Sequence, residues 1–120
     1  MASQLNKDHG TISTNATDQT LKAETSPGIY ELRVDRVNMV NGDQVEIRGY
    51  NKILTGGTAH MEVYDIWSDK QGDGGAPGSS AAGDVVWRSG PIVSNFALTF
   101  TIKRLAGTDR AFDWVWDQLQ

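Results

Sequence analysis

Ile92-Val-Ser-Asn-Phe-Ala-Leu-Thr-Phe-Thr-Ile-Lys103 is the stretch that decides the fold class. Ile92, Phe96, Leu98, Phe100 and Ile102 fall on one face of an extended chain. Val93, Asn95, Ala97, Thr99, Thr101 and Lys103 fall on the other. A period of two marks a strand with one buried and one wet side. After a turn around Ala106-Gly107-Thr108-Asp109, a second alternating run puts Phe112, Trp114 and Trp116 on one face. Asp113 and Asp117 point the other way, to the wet side. This closing pair predicts an all-β protein and an aromatic stripe that faces the core or a neighbouring subunit.

Working back toward the N-terminus, the pattern repeats. Gly28 to Val37 alternates Tyr30, Leu32 and Val34 against Glu31, Arg33 and Asp35. Asn41-Gly42-Asp43 is a turn signal, because Asn and Gly tolerate the positive φ of tight turns. Gln44 to Tyr50 places Val45 and Ile47 inward and extends toward Leu54, before Thr55-Gly56-Gly57 turns the chain. Thr58 to Trp67 forms a long strand whose phase switches from Met61 and Val63 to Tyr64 and Ile66. One extra residue reverses the faces, which predicts a bulge near Val63 and Tyr64. A Gly, Ser and Asp-rich loop covers 68–83, and Asp84 to Arg88 is a short strand. Six or seven short strands with Gly-rich turns predict a small antiparallel sandwich, jelly roll or barrel-like domain over 27–120.

Residues 1–26 read differently. They are rich in Ser, Thr, Asn, Asp and Gln, and Leu5, Ile12 and Leu21 are their only sizeable apolar residues. Such a segment does not bury enough apolar surface to offset its own ordering entropy. The expectation is an extended polar arm, ordered only against something else, with Leu5, Ile12 and Leu21 as its anchors. Together with Phe112, Trp114 and Trp116 these make the candidate subunit-interface set.

The composition narrows the function classes. The chain has 120 residues, a net charge of −4 and no cysteine. It fits one domain without disulfides or thiolate metal sites. Nucleic acid is held by clustered Lys and Arg, and here the basic residues are scattered. No apolar run approaches the roughly 20 residues of a membrane-spanning helix, and the N-terminus lacks the apolar stretch of a secretory signal. The expected partners therefore include neither nucleic acid nor membrane.

The search for chemistry returns little. The only histidines are His9, in the arm, and His60, next to a strand start, and His60 reads as a surface or packing residue without the local partner that acid–base catalysis needs. Asp113 and Asp117, four residues apart on one strand, would sit roughly 13 Å apart, too far for glycosidic chemistry. Asp69-Lys-Gln-Gly-Asp73-Gly74 looks like the front of a calcium loop, but the twelfth position is Ser80, which cannot close it as a bidentate ligand. The expectation is no enzyme, no catalytic residue, no metal and no cofactor. Trp67, Trp87, Trp114 and Trp116 remain as core or interface residues, or as the platform of a carbohydrate-binding module.

Two stretches carry a resemblance. One is Gly28-Ile-Tyr-Glu-Leu-Arg-Val34, followed by Asn41-Gly-Asp-Gln-Val-Glu-Ile47 and the turn Leu54-Thr-Gly-Gly57. The other runs from Phe100 through Lys103-Arg-Leu-Ala-Gly-Thr108 to the aromatic strand ending at Trp116. Together they resemble small β-rich virion proteins of tailed bacteriophages, above all capsid decoration (cement) proteins. The resemblance implies a non-enzymatic structural role on the capsid exterior of the virion, assembled in the host cytoplasm. It also implies binding to the major capsid protein and a homo-oligomer, with a trimer favoured. A tail or head–tail connector protein is the alternative within the same class.

Overall fold

The computed structural model describes residues 4–69 and 85–119, with side chains from Asn6 onward. Most of the predicted loop at 68–83, including the calcium-like sequence beyond Asp69, lies outside the described residues. The described chain forms nine strands: β1 (Gln4–Ser13), β2 (Gln19–Glu24), β3 (Gly28–Asp35), β4 (Gln44–Lys52), β5 (His60–Ser68), β6 (Val86–Arg88), β7 (Ile92–Ser94), β8 (Ala97–Ala106) and β9 (Ala111–Leu119). All pairings are antiparallel.

Two sheets face each other. One has the order β1-β9-β3-β6, with β7 also paired to β3, and the other has the order β2-β8-β4-β5. The pairings are nested: β1 with β9, β2 with β8, β3 with β6 and β7, β4 with β5. That is one long hairpin folded over on itself, the jelly-roll arrangement. β6 and β7 count as a single interrupted strand, because they pair with opposite halves of β3. At the interruption Ser89 replaces the ladder: its Oγ accepts from Leu32 N–H at 3.0 Å, and its own N–H donates to Leu32 O at 2.9 Å. Gly90 follows at φ +77° and Pro91 has no N–H to give.

The alternation seen in the sequence fills the space between the sheets. Tyr30, Leu32 and Val34 from β3 meet Val45 and Ile47 from β4, Leu98, Phe100 and Ile102 from β8, and Phe112 and Trp116 from β9. The rings form one connected chain through the core. Tyr30 stacks on Trp116 at 5.2 Å, and Trp116 meets Phe100 at 5.8 Å. Phe100 meets Trp87 at 6.4 Å, Trp87 meets Trp67 at 5.6 Å, and Trp67 meets Phe112 at 5.9 Å. Gly49 lies where this chain presses on β4: a Cβ there would stand 2.8 Å from the Phe100 ring.

Four sequence expectations change in detail. The run Ile92–Lys103 is not one strand. It belongs to β7 in the first sheet and β8 in the second, with a bend at 95–96. Ile92 and Ser94 face the core from one sheet and Leu98, Phe100 and Ile102 from the other, so the phase carries no mark of the crossing. Phe96, expected on the buried face, sits at that bend and is partly exposed. The predicted bulge is real but lies at Glu62, since Gly49 pairs with Val63 and Tyr50 with Met61. β4 ends at Lys52, short of Leu54.

The polar arm is a fifth difference. Residues 4–13 and 19–24 are the edge strands of the two sheets. Their composition offers little apolar burial, but backbone ladders to β9 and β8 need none, and composition does not register a ladder. Ion pairs lace the two edges across the gap between the sheets: Lys22 to Asp8 at 2.8 Å and Lys7 to Glu24 at 3.3 Å. The sixth difference is Asp117, expected on the wet side and found buried. Arg33 Nη2 lies 2.9 Å from it, and Asn6 N–H donates to it at 2.6 Å. Asn6 holds a left-handed φ of 55° within a break in the β1 register, and that kink turns its N–H onto the carboxylate.

Candidate functional surfaces

Three places on the body could meet another molecule: the depression lined by residues of β3, β6 and β9, and the two ends of the sandwich. The depression is lined by Arg33, Asp35, Val86, Asp113, Trp114 and Val115 and holds about 240 Å³. Sites for small organic ligands usually run from about 300 Å³ upward, so this hollow is marginal. Its polar groups are already engaged: Arg33 with Asp117, Asp113 with Thr11 Oγ1 at 2.6 Å, and Asp35 with Val37 N–H at 3.0 Å.

At one end the β1–β2, β3–β4 and β8–β9 turns meet around Asp43. The Asp43 carboxylate accepts from Arg110 Nε at 2.8 Å, Val40 N–H at 3.0 Å and Thr108 N–H at 3.2 Å. Its backbone O accepts from Asp69 N–H at 2.8 Å. Arg110 in turn is held by Thr14, whose Oγ1 accepts the Arg110 N–H at 3.1 Å. Burial pushes the Asp43 pKa up, but the Arg110 guanidinium and the two backbone donors outweigh it and hold the carboxyl below its ordinary value. This is a structural knot. Its carboxylate has no free lone-pair direction for outside chemistry.

The opposite end is apolar. The β4–β5 hairpin closes through Gly57 N–H to Leu54 O at 2.9 Å, with Gly56 at φ +75°. The turn leaves Ile53 61% and Leu54 70% exposed. Met61 follows at 51%, Val93 at 58% and Phe96 at 36%. Asn51 gathers these segments. It pairs with His60 across β5 and with Leu98 across β8. Its Nδ2 donates to Glu62 Oε1 at 2.7 Å and to Val93 O at 2.9 Å. Ile53, Leu54, Met61, Val93 and Phe96 therefore surround one buried asparagine, with Lys52 and Glu62 beside them.

The residues singled out from sequence are dispersed by the fold. Leu21, Phe112 and Trp116 are core residues with almost no exposed surface, and Ile12 and Trp114 are half-buried against that core. Of the two readings the sequence left for the aromatic stripe, Phe112 and Trp116 take the core, where they join sheet to sheet within one chain. The Leu5 side chain lies outside the described residues. Trp67, Trp87 and Trp116 are buried, and Trp114 lies against Gly10, where an added Cβ would stand 3.1 Å from its ring. The flat exposed pair that a sugar platform needs is not made by these four rings. His60 is exposed at the start of β5. Asp113 and Asp117 are tied to different partners. Among the described residues no group of three His, Asp or Glu is placed to hold a metal, and no helix is long and apolar enough to cross a membrane.

Sequence reading passed over both ends. Asn41-Gly42-Asp43 was legible only as a turn, and Ile53-Leu54 as more strand. The available signal was two large apolar residues directly before Thr55-Gly56-Gly57, where a turn exposes what a strand would bury. No family model, curated protein or solved structure matches the chain.

Proposed function

We propose that the chain is a non-enzymatic structural protein of a bacteriophage particle, a decoration protein that binds the outer capsid surface and stabilises neighbouring capsomers. The observation that carries the reading is how the large apolar side chains are divided. Tyr30, Trp67, Trp87, Phe100, Phe112 and Trp116 are spent on a rigid core, while Ile53, Leu54, Met61, Val93 and Phe96 stay exposed at one end of the body. A protein arranged this way engages other proteins by surface contact rather than small molecules by a pocket. The partner is the major capsid protein. Several copies acting together, most simply as a trimer, give durable attachment from modest individual contacts through effective concentration.

The test is reconstitution. Purified protein added to expanded capsids that lack it should co-sediment to saturation and raise the temperature at which the capsids rupture. An absence of binding at saturating protein sinks the proposal. Labelling the protein in whole particles separates the capsid shell from the tail or connector. Trp114→Ala is expected to leave glycan binding unchanged, because no tryptophan platform supports such binding.

A further inference from the structure

We infer that the apolar end formed by Ile53, Leu54, Met61, Val93 and Phe96 is where copies of this chain meet, like end against like end, in a closed oligomer. The inference deepens the decoration reading and rests on it for its biological purpose. The first argument is size. With full side-chain areas of order 150–200 Å², the exposed fractions at these five positions leave roughly 500 Å² of apolar surface. That is in the range of the largest patch a monomer exposes, and over half of the ~800 Å² per partner that a stable interface covers. The one protein always present at matching concentration to cover it is another copy.

The second argument is charge. Lys52 adjoins Ile53, and Glu62 adjoins Met61. Neither is ion-paired within the chain among the described residues. A patch with both signs at its rim is self-complementary, as a contact between identical surfaces requires: Lys52 of one copy faces Glu62 of the next. The third argument is preorganisation. The hairpin turn from Leu54 to Gly57 fixes Ile53 and Leu54 before contact, which lowers the ordering cost of association.

Sedimentation equilibrium and light scattering across a wide concentration range test this directly. The wild type should weigh two or more times its 13.1 kDa chain mass. Leu54→Asp and Phe96→Asp should each weaken association at least about tenfold, one well-placed buried side chain being worth that much. Both positions are exposed, so far-UV circular dichroism and the melting curve of the monomer should be unchanged. Val37→Asp, at the other end, should associate as the wild type does. Lys52→Glu should weaken association, and adding Glu62→Lys in the same chain should restore it. A wild type that stays monomeric overturns the inference, as does a Leu54→Asp and Phe96→Asp pair that associates normally. A monomeric wild type that still coats capsids removes this inference alone. An oligomeric wild type that ignores capsids removes the decoration reading alone.

Discussion

Asp43 and Gly107 make the case at the scale of single residues. Gly107 has φ +84°, and a Cβ on it would stand 2.7 Å from Asp43 Cα and 3.0 Å from Gly42 O. Both the left-handed backbone and the lack of space demand glycine there. Gly107→Ala should cost about 2–4 kcal/mol, measured by urea unfolding, from the combined conformational and overpacking penalties. Asp43→Asn keeps the shape but removes the charge that Arg110 faces. Because Arg110 is partly exposed, the loss should be about 2 kcal/mol, below the 3–5 of a fully buried broken pair. The sign with pH follows from the depressed pKa. Asp43, Glu24 and Glu46 all titrate below their ordinary values of 3.8, 4.5 and 4.5 in the fold. At Glu24, burial acts upward and is outweighed by Ser26 N–H, Trp116 Nε1 and Lys7; at Glu46, burial is outweighed by Tyr64 and Arg48. The stability they contribute is complete above those ordinary values and is lost as pH falls through the folded ones. Unfolding free energy should therefore drop on acidification below about pH 4.5, and Asp43→Asn should flatten the lower part of that drop.

At the scale of elements, the two edge strands carry the clearest consequence. β1 and β2 cover β9 and β8 and are stitched to each other by Lys22–Asp8 and Lys7–Glu24. Glu24 also accepts from Trp116 Nε1 at 3.1 Å, so a strand that looks polar in sequence satisfies a buried ring of the core. Deleting residues 1–18 should expose the β9 edge, lower the melting temperature sharply and promote aggregation, as seen by calorimetry and turbidity. An arm lying outside the body would leave the melting temperature unchanged. The other open side is managed differently. On β5, the Asp65 carboxylate accepts from Ile66 N–H at 2.9 Å and from Trp87 Nε1 at 2.9 Å. It caps an edge donor and bridges the two sheets at once.

For the whole molecule, the decisive arrangement is one continuous ring cluster between two sheets, with a polar knot at one end and an apolar patch at the other. Tryptophan fluorescence should report the first of these. Acrylamide should quench the native protein far less than the unfolded chain, because three indoles are buried and the fourth is half-covered. Efficient quenching of the folded state would contradict the packing described above.

Alternation was enough to establish the all-β class, the inward positions of β3, β4, β8 and β9, and the turns at Asn41-Gly42 and Thr55-Gly56-Gly57. Those features are local, because side-chain direction in a strand and positive φ in a turn are set by neighbouring residues. The jelly-roll order, the recruitment of residues 4–24 into both sheets and the burial of Asp117 were not legible. Each depends on which strand lies beside which, and backbone ladders pair without regard to side-chain identity. The crossing between sheets at 95–96 was hidden for a related reason: both inner faces look into the same core, so the period of two runs on across the corner. The apolar end is likewise tertiary, since Ile53, Leu54, Met61, Val93 and Phe96 become neighbours only once Asn51 holds β5, β7 and β8 together. Sequence determined which residues face inward along each strand; the folded chain alone decided which surfaces were left to face another protein.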